Sequence, residues 1–244
     1  MSRMTANTPQ MTLTEHLQEL RRRLLRSLVA LLVGSIAGSF LAQPALALLT
    51  RPLAAYELIV LSPTEAPIVF FEVTLLLGVL LALPYILFEV YRFIAPALEP
   101  HERKPLLLGI PAFLALFALG DAFTLFVLIP LSLPVLQSFL GDIARPTYSL
   151  EQYLAFISTM LLWMGLLFQT PLVLYLLARL GIVRPATLRR LRKAIIFGAA
   201  VVAAVITPTH DPVTMLLVTG PFIVLYELGL LLARLAGRQK NAGR

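Results

Sequence analysis

Long apolar runs alternate with short polar connections along the chain. A run of about 20 apolar residues is needed to cross the roughly 30 Å hydrocarbon core of a bilayer. Six runs reach or approach that length, and each is predicted to be a transmembrane helix: 24–43, 67–92, 106–131, 150–178, 194–208 and 213–233. The pattern therefore predicts an all-α membrane protein with six transmembrane helices.

The last two runs are expected to form a hairpin of short fifth and sixth helices. From Ala194 to Pro208 the fifth run offers only roughly 22 Å of helix. Pro208 and Pro212 enclose a tight turn before the sixth run. Such a mismatch is met by thinning the bilayer or by oligomerisation. The alternative is a fifth helix that extends past Arg192 into the preceding basic loop.

The composition supports a membrane protein and excludes several other classes. Apolar residues make up 59% of the 244 residues, charged residues make up 14%, and the mean hydropathy is +0.86. Soluble domains average about 45–50% apolar and about 25% charged residues. The absence of cysteine from the sequence excludes a disulfide scaffold, thiol catalysis and cysteine-ligated metals. Neither a cofactor nor a metal site is predicted.

The net charge of +7 is interpreted as a topology signal, and no nucleic-acid partner is predicted. Lys and Arg are retained on the cytoplasmic side of membrane proteins. In the six-span arrangement, eighteen of the twenty basic residues fall on one side, and only Arg51 and Arg145 fall on the other. Both termini are therefore predicted to be cytoplasmic. The alternative, a first span cleaved as a signal peptide near 45–47, is disfavoured by its length.

Three segments follow from this topology. Residues 1–23 form a cytoplasmic amphipathic segment, 24–233 the six-helix transmembrane domain, and 234–244 a cytoplasmic tail. In the first segment, Glu19 and Arg23 have the i, i+4 spacing of a helical ion pair. Carboxylates are unfavourable beside anionic lipid but are natural partners of arginine, so Glu19 and Glu102 are candidates for holding an arginine-bearing peptide.

Polar groups inside spans are costly and mark candidate functional positions. Gln169, just before Pro171 in the fourth span, and Glu227 in the sixth favour a function over simple helix–helix hydrogen bonding. For Asp121 in the third span, the two interpretations remain open. Known catalytic motifs are missing, so an enzyme is not predicted. Gly34 and Gly38, a GxxxG in the first span, predict close helix packing.

Four motifs carry a resemblance to a known family. They are HLQELRRRL at 16–24, FIAPALEPHERK at 93–104, GLLFQTPLVLYLLARLGI at 165–182 and ITPTHDPVTMLLVTGPFIVLYELG at 206–229. In order and spacing, over about 12–234, the sequence resembles the TatC family, the multispanning receptor subunits of the twin-arginine protein translocase.

The resemblance implies a function and a set of site residues. It implies a receptor for the twin-arginine signal peptides of folded precursor proteins, in a translocase driven by the proton-motive force. The implied signal-binding residues are Glu19, Arg21, Phe93, Glu102 and Arg103. The implied setting is a bacterial or archaeal-type inner membrane, in homo- and hetero-oligomers with single-span TatA- and TatB-type subunits.

The family's intramembrane polar position falls on Gln169, and its docking region for the single-span subunits falls on spans five and six. Two other function classes are weighed against this one. A six-span secondary transporter of a small solute is the main alternative. An intramembrane hydrolase is disfavoured because no nucleophile–base pair is evident.

Overall fold

A computed structural model describes residues 13–53, 57–138, 147–206 and 212–242 of the chain. Helices account for almost all of these residues. In chain order they are α1 (Leu13–Leu49), α2 (Glu65–Ile94), α3 (Pro100–Phe123), α4 (Ile129–Ser138), α5 (Leu150–Leu167), α6 (Thr170–Leu180), α7 (Pro185–Arg190), α8 (Arg192–Ile206) and α9 (Pro212–Ala242).

A small sheet departs from the all-α prediction. Strands β1 (Glu57–Ile59) and β2 (Thr147–Ser149) pair in parallel, with Leu58 opposite Tyr148. The two strands are the extended segments that lead into α2 and α5, which bring them side by side. Main-chain groups outside a helix need other hydrogen-bond partners, and pairing supplies them. The prediction did not include these two strands, but the fold is overwhelmingly helical, as predicted.

Helices α1 and α2 pack along each other with small residues at the contact. A Cβ atom added to Gly34 would lie 2.6 Å from the main-chain oxygen of Gly78, which is too close for any side chain. A Cβ atom added to Gly78 would overlap Ser35. The close packing predicted for Gly34 and Gly38 is therefore confirmed, and their partner is the glycine on α2.

The main hydrophobic core lies between α2, α5 and the segment around the start of α4. Its fully buried members include Val69, Val73, Leu128, Ile129, Leu154, Ile157 and Met160. Much of the remaining apolar surface faces outward, and Phe40 is 82% exposed. Apolar surface on this scale is typical of a protein that lipid covers.

Five helical stretches in the described residues are long and apolar enough to cross a membrane. They are Thr14–Leu53, Glu65–Ala97, Pro100–Ser138, Leu150–Leu180 and Pro212–Ala236. They match the first four predicted spans and the sixth. The predicted fifth span corresponds to α8, whose 15 residues give only roughly 22 Å of helix.

Two expectations about the last hairpin are wrong. The alternative of a fifth helix that extends past Arg192 fails, because α7 ends at Arg190 and α8 begins at Arg192. The sixth helix is not short, because α9 has 31 residues. It continues beyond the apolar run, where Ala236 is still buried in the cluster that Tyr226 and Ala233 form with α6 and α7. The predicted turn at 209–212 lies largely outside the described residues.

Spans three and four both deviate from regular α-helix. After α3, residues Thr124–Leu128 form a π-helical turn, and the Thr124 hydroxyl donates to the Gly120 carbonyl at 2.9 Å. In span four the chain breaks between α5 and α6, where Pro171 has no N–H for the carbonyl of Leu167. That carbonyl accepts a hydrogen bond from the Thr170 hydroxyl at 2.7 Å instead. Both irregularities are satisfied by polar neighbours, as backbone within a membrane requires.

Candidate functional site

A cluster of charges lies where α1 begins and α2 ends. Arg23 is held between two carboxylates: its Nε donates to Glu19 Oε1 at 3.0 Å, and its NH1 donates to Glu89 Oε2 at 2.9 Å. The Glu89 side chain is only 2% exposed. Arg26 approaches Glu89 from the other side at 3.8 Å. We call Glu19, Arg23 and Glu89 the bridged acid pair.

One oxygen of the bridged acid pair is open to a further donor. Glu19 Oε2 is buried and has no hydrogen-bond partner among the described residues. Glu89 has two arginine partners, Arg23 and Arg26, whereas Glu19 has only Arg23 among the ion pairs of the described residues. An additional guanidinium is the group best matched to such a site, because its planar fork pairs with carboxylates.

Sequence reasoning predicted half of the bridged acid pair. The i, i+4 contact between Glu19 and Arg23 is confirmed. Glu89 was missed, although a carboxylate near the end of an apolar span was the signal that could have identified it. Its partner Arg23 is 66 residues away in the sequence, and no spacing rule connects them.

An aromatic stack joins the same two helices one turn further along. The rings of His16 and Phe93 are 4.5 Å apart with an interplanar angle of 22°. The predicted site residue Phe93 therefore contacts the N-terminal part of α1. The predicted site residue Arg21 lies on α1 with its side chain exposed.

The predicted site residues Glu102 and Arg103 lie in the first turn of α3. Glu102 Oε2 accepts a hydrogen bond from the main-chain N–H of Glu99 at 3.2 Å, so the carboxylate caps its own helix. Arg103 Nε donates to the Leu98 carbonyl at 3.3 Å. The two predicted carboxylates have different partners: Glu19 accepts from Arg23, and Glu102 accepts from the Glu99 N–H.

Gln169 ties the break in span four to α3. Its Nε2 donates to the Gly165 carbonyl at 2.9 Å and to the Phe113 carbonyl at 3.4 Å. Its Oε1 is buried without a hydrogen-bond partner among the described residues, and so is Oδ1 of Asp121. The inside of the bundle therefore presents two acceptor oxygens with unused capacity.

Glu227 does not join this internal group. It forms an ion pair with Arg192, with 2.7 Å between Glu227 Oε1 and Arg192 Nε, and both side chains are partly exposed. The pair connects the first residue of α8 to α9. The neighbouring Tyr226 hydroxyl donates to the Leu188 carbonyl at 2.7 Å, which ties α7 to α9 as well.

A second buried carboxylate was missed at the opposite end of α2. Glu65 is 1% exposed and accepts from three donors: the N–H of Leu61 at 2.6 Å, and the hydroxyl of Ser149 and the N–H of Glu151, each at 2.8 Å. Sequence reasoning placed Glu65 in a connecting loop. The serine at the start of α5 was a cap signal, but nothing in the sequence indicated its distant partner.

Comparisons with known proteins cover nearly the whole chain. A family model described as Sec-independent protein translocase protein (TatC) matches residues 15–221. A relative from Aquifex aeolicus with that name is 39% identical, over 95% of this chain and 98% of the relative. A relative from Carboxydothermus hydrogenoformans is 34% identical, over 96% and 97%.

The fold is also that of solved structures. Two crystal structures described as the twin arginine translocase receptor TatC superpose with TM-scores of 0.80 and 0.81, at 36% and 37% identity. They cover 91% and 90% of this chain, and 99% of each solved chain is matched. The chain therefore belongs to the TatC family of Sec-independent protein translocase proteins.

Proposed function

We propose that this chain is a receptor for twin-arginine signal peptides and the core subunit of a translocase that exports folded proteins, driven by the proton-motive force. The observation that carries the proposal is the match to the receptor structures over nine-tenths of the chain. The relatives named above are translocase proteins, so the alternative of a small-solute transporter has no support. The proposed role is that of a transport component, not an enzyme.

The proposed topology has six spans, with both termini in the cytoplasm of a cell with an inner membrane of bacterial type. The distribution of Lys and Arg supports this orientation, which puts the bridged acid pair and Glu102 on the cytoplasmic side. In this arrangement α8 is the fifth span. Its shortness supports a locally thinned bilayer or coverage by partner subunits.

Signal recognition is proposed to use two carboxylates: Glu19, whose Oε2 has no hydrogen-bond partner among the described residues, and Glu102. The two arginines of a signal would donate to them at a partly desolvated surface bordered by Arg21, Phe93 and Arg103. A hydrogen bond to a charged group contributes about 1.5–3 kcal/mol, and the guanidinium fork favours Arg over Lys. The apolar part of the signal would then lie in the bundle beside Gln169.

Partner subunits are proposed to dock on the last hairpin. TatA- and TatB-type single-span helices would pack against α8 and α9, within homo- and hetero-oligomers. The exposed apolar residues Phe197, Val201 and Leu216 support a further helix there. The Arg192–Glu227 ion pair would hold the two helices of that surface together.

Site-specific crosslinking tests the proposed recognition. A photoreactive residue at the exposed position Ile94 should capture a twin-arginine signal peptide in native membranes. Glu102→Gln should reduce capture about tenfold, since it removes the charge worth about 1.5–3 kcal/mol. The glutamine carbonyl still accepts from the Glu99 N–H, so the helix cap is kept.

Glu99→Gln is the matched control. Glu99 is an exposed carboxylate three residues away that pairs with His101. Capture by this variant should stay within about twofold of the parent chain, because an exposed ion pair contributes little. Unchanged capture by Glu102→Gln would refute the assignment of Glu102.

A further inference from the structure

We propose that a cationic cavity between α3 and α6 binds the headgroup of an anionic phospholipid. The cavity has a volume of about 390 Å³, and neither Gln169 nor its partner Phe113 is among the residues that line it. Its mouth carries Lys104 and Arg179, and His101 lies at its rim. Nothing in the signal-binding proposal uses Lys104 or Arg179.

Charge is segregated at the mouth of the cavity. Lys104 is in the second turn of α3, and Arg179 is the second-last residue of α6, so both lie at the same end of the bundle. Among the described residues that line the cavity, none is a carboxylate. The exposed residue Glu99 contacts His101, with 3.2 Å between Glu99 Oε2 and His101 Nδ1.

Arg179 is held in place by an aromatic side chain. It donates to the Tyr175 hydroxyl, and its guanidinium carbon lies 5.8 Å from the centroid of that ring. This contact leaves the other guanidinium donors available, because one hydroxyl accepts only part of a five-donor group. Tyrosine and arginine at a span end are typical of the membrane–water interface.

The lower part of the cavity is apolar. Leu108 and Ala112 follow Lys104 at one and two helical turns, and Leu172 and Leu176 precede Arg179 on the facing helix. The cavity therefore extends about 12 Å along α3 from its charged mouth into the apolar span. A phospholipid matches this arrangement, with its phosphodiester beside the cations at the mouth and an acyl chain against the apolar residues below.

Other occupants fit less well. A twin-arginine peptide would be repelled by Lys104 and Arg179. A free phosphate would use the two cations but would leave the apolar floor empty. Two cations at the interface above an apolar floor therefore fit a phospholipid better than either of these occupants.

Native mass spectrometry of the purified chain tests the site. The chain is delipidated in detergent and titrated with phosphatidylglycerol or with phosphatidylcholine of the same acyl chains. Lys104→Gln combined with Arg179→Gln should lower the affinity for phosphatidylglycerol about tenfold and leave that for phosphatidylcholine unchanged. Arg189→Gln combined with Arg190→Gln is the matched control, because it removes two exposed charges from α7 outside the cavity.

The affinity of the control, Arg189→Gln combined with Arg190→Gln, for phosphatidylglycerol should stay within about twofold of that of the parent chain. Equal losses in both double variants, or equal binding of the two lipids by the parent chain, would overturn the proposal. Displacement of the lipid by excess glycerol 3-phosphate would also overturn it, in favour of a free-phosphate site. Ala112→Phe, which keeps both cations and fills the floor, should weaken binding as well, and unchanged binding there would contradict the acyl-chain contact.

Discussion

The two ends of α2 bury one carboxylate each, and they do so in opposite ways. Glu65 at the first residue of α2 is satisfied by two main-chain N–H groups and a serine hydroxyl from α5 and the preceding segment. Glu89 near the other end is satisfied by arginine side chains from α1. Main-chain donors are fixed by the fold, whereas side-chain donors can rotate away. The comparison indicates that the Glu65 end is a structural clamp and the Glu89 end can exchange partners.

The largest effect is expected at the clamp. Glu65→Ala leaves three donors without their acceptor, among them the buried Ser149 hydroxyl, and should lower the free energy of unfolding by about 3 kcal/mol. Trp163 is the single tryptophan of the chain and lies on α5, so its fluorescence during denaturant unfolding reports on this loss. Glu151→Ala is the control, because it removes a neighbouring carboxylate and keeps the main-chain N–H that Glu65 accepts. The control should lower the free energy of unfolding by at most about 1 kcal/mol. Similar losses in both variants would contradict the structural role given to the Glu65 carboxylate.

An intermediate effect is expected at the bridged acid pair. Glu89→Gln should lower the free energy of unfolding by about 2 kcal/mol, because Arg23 keeps only Glu19 as a charged partner. Adding Arg23→Gln should lower the free energy of unfolding by less in this background than in the parent chain, because only the contact between Arg23 and Glu19 is then left to lose. The double-mutant cycle measures the coupling directly. Additive losses would show that the two side chains act independently, and the proposed exchange of partners would lose its basis.

The smallest effect is expected at the ion pair of the last hairpin. Arg192→Gln should change the free energy of unfolding by less than about 1 kcal/mol, because Arg192 and Glu227 are 51% and 39% exposed. Lys193→Gln removes the same charge from the next residue and serves as control. A loss above about 3 kcal/mol for Arg192→Gln alone would place the pair in a desolvated setting like that of Glu89.

The apolar runs predicted where helices lie better than where they end. Hydropathy detects the hydrocarbon boundary, and α9 passes that boundary because its packing against α6 continues. The break before α8 at Leu191 has no proline or glycine to announce it. The strands β1 and β2 are three residues each, which is too short for an alternating pattern to be recognised.

In the candidate site, contacts between residues close in the sequence were predicted, and contacts between distant residues were not. The Glu19–Arg23 pair follows from spacing within one helix, and it was predicted. Glu65 accepts from a residue 84 positions away, and Glu89 from one 66 positions away. Contacts at that separation depend on how the helices pack, which a single sequence does not encode in any local pattern.

The continuity of α1 has a mechanical consequence. Its 37 residues form a helix of about 55 Å, of which the part from Leu13 to Pro44 is a rod of about 46 Å without a joint. A peptide that pushes on the turns around His16 and Glu19 therefore cannot bend them separately from the rest. A tilt of about 5° around the centre of the rod would displace its two ends by about 2 Å in opposite directions. A displacement of the His16 end of α1 is therefore accompanied by an opposite displacement at the far end of the same helix.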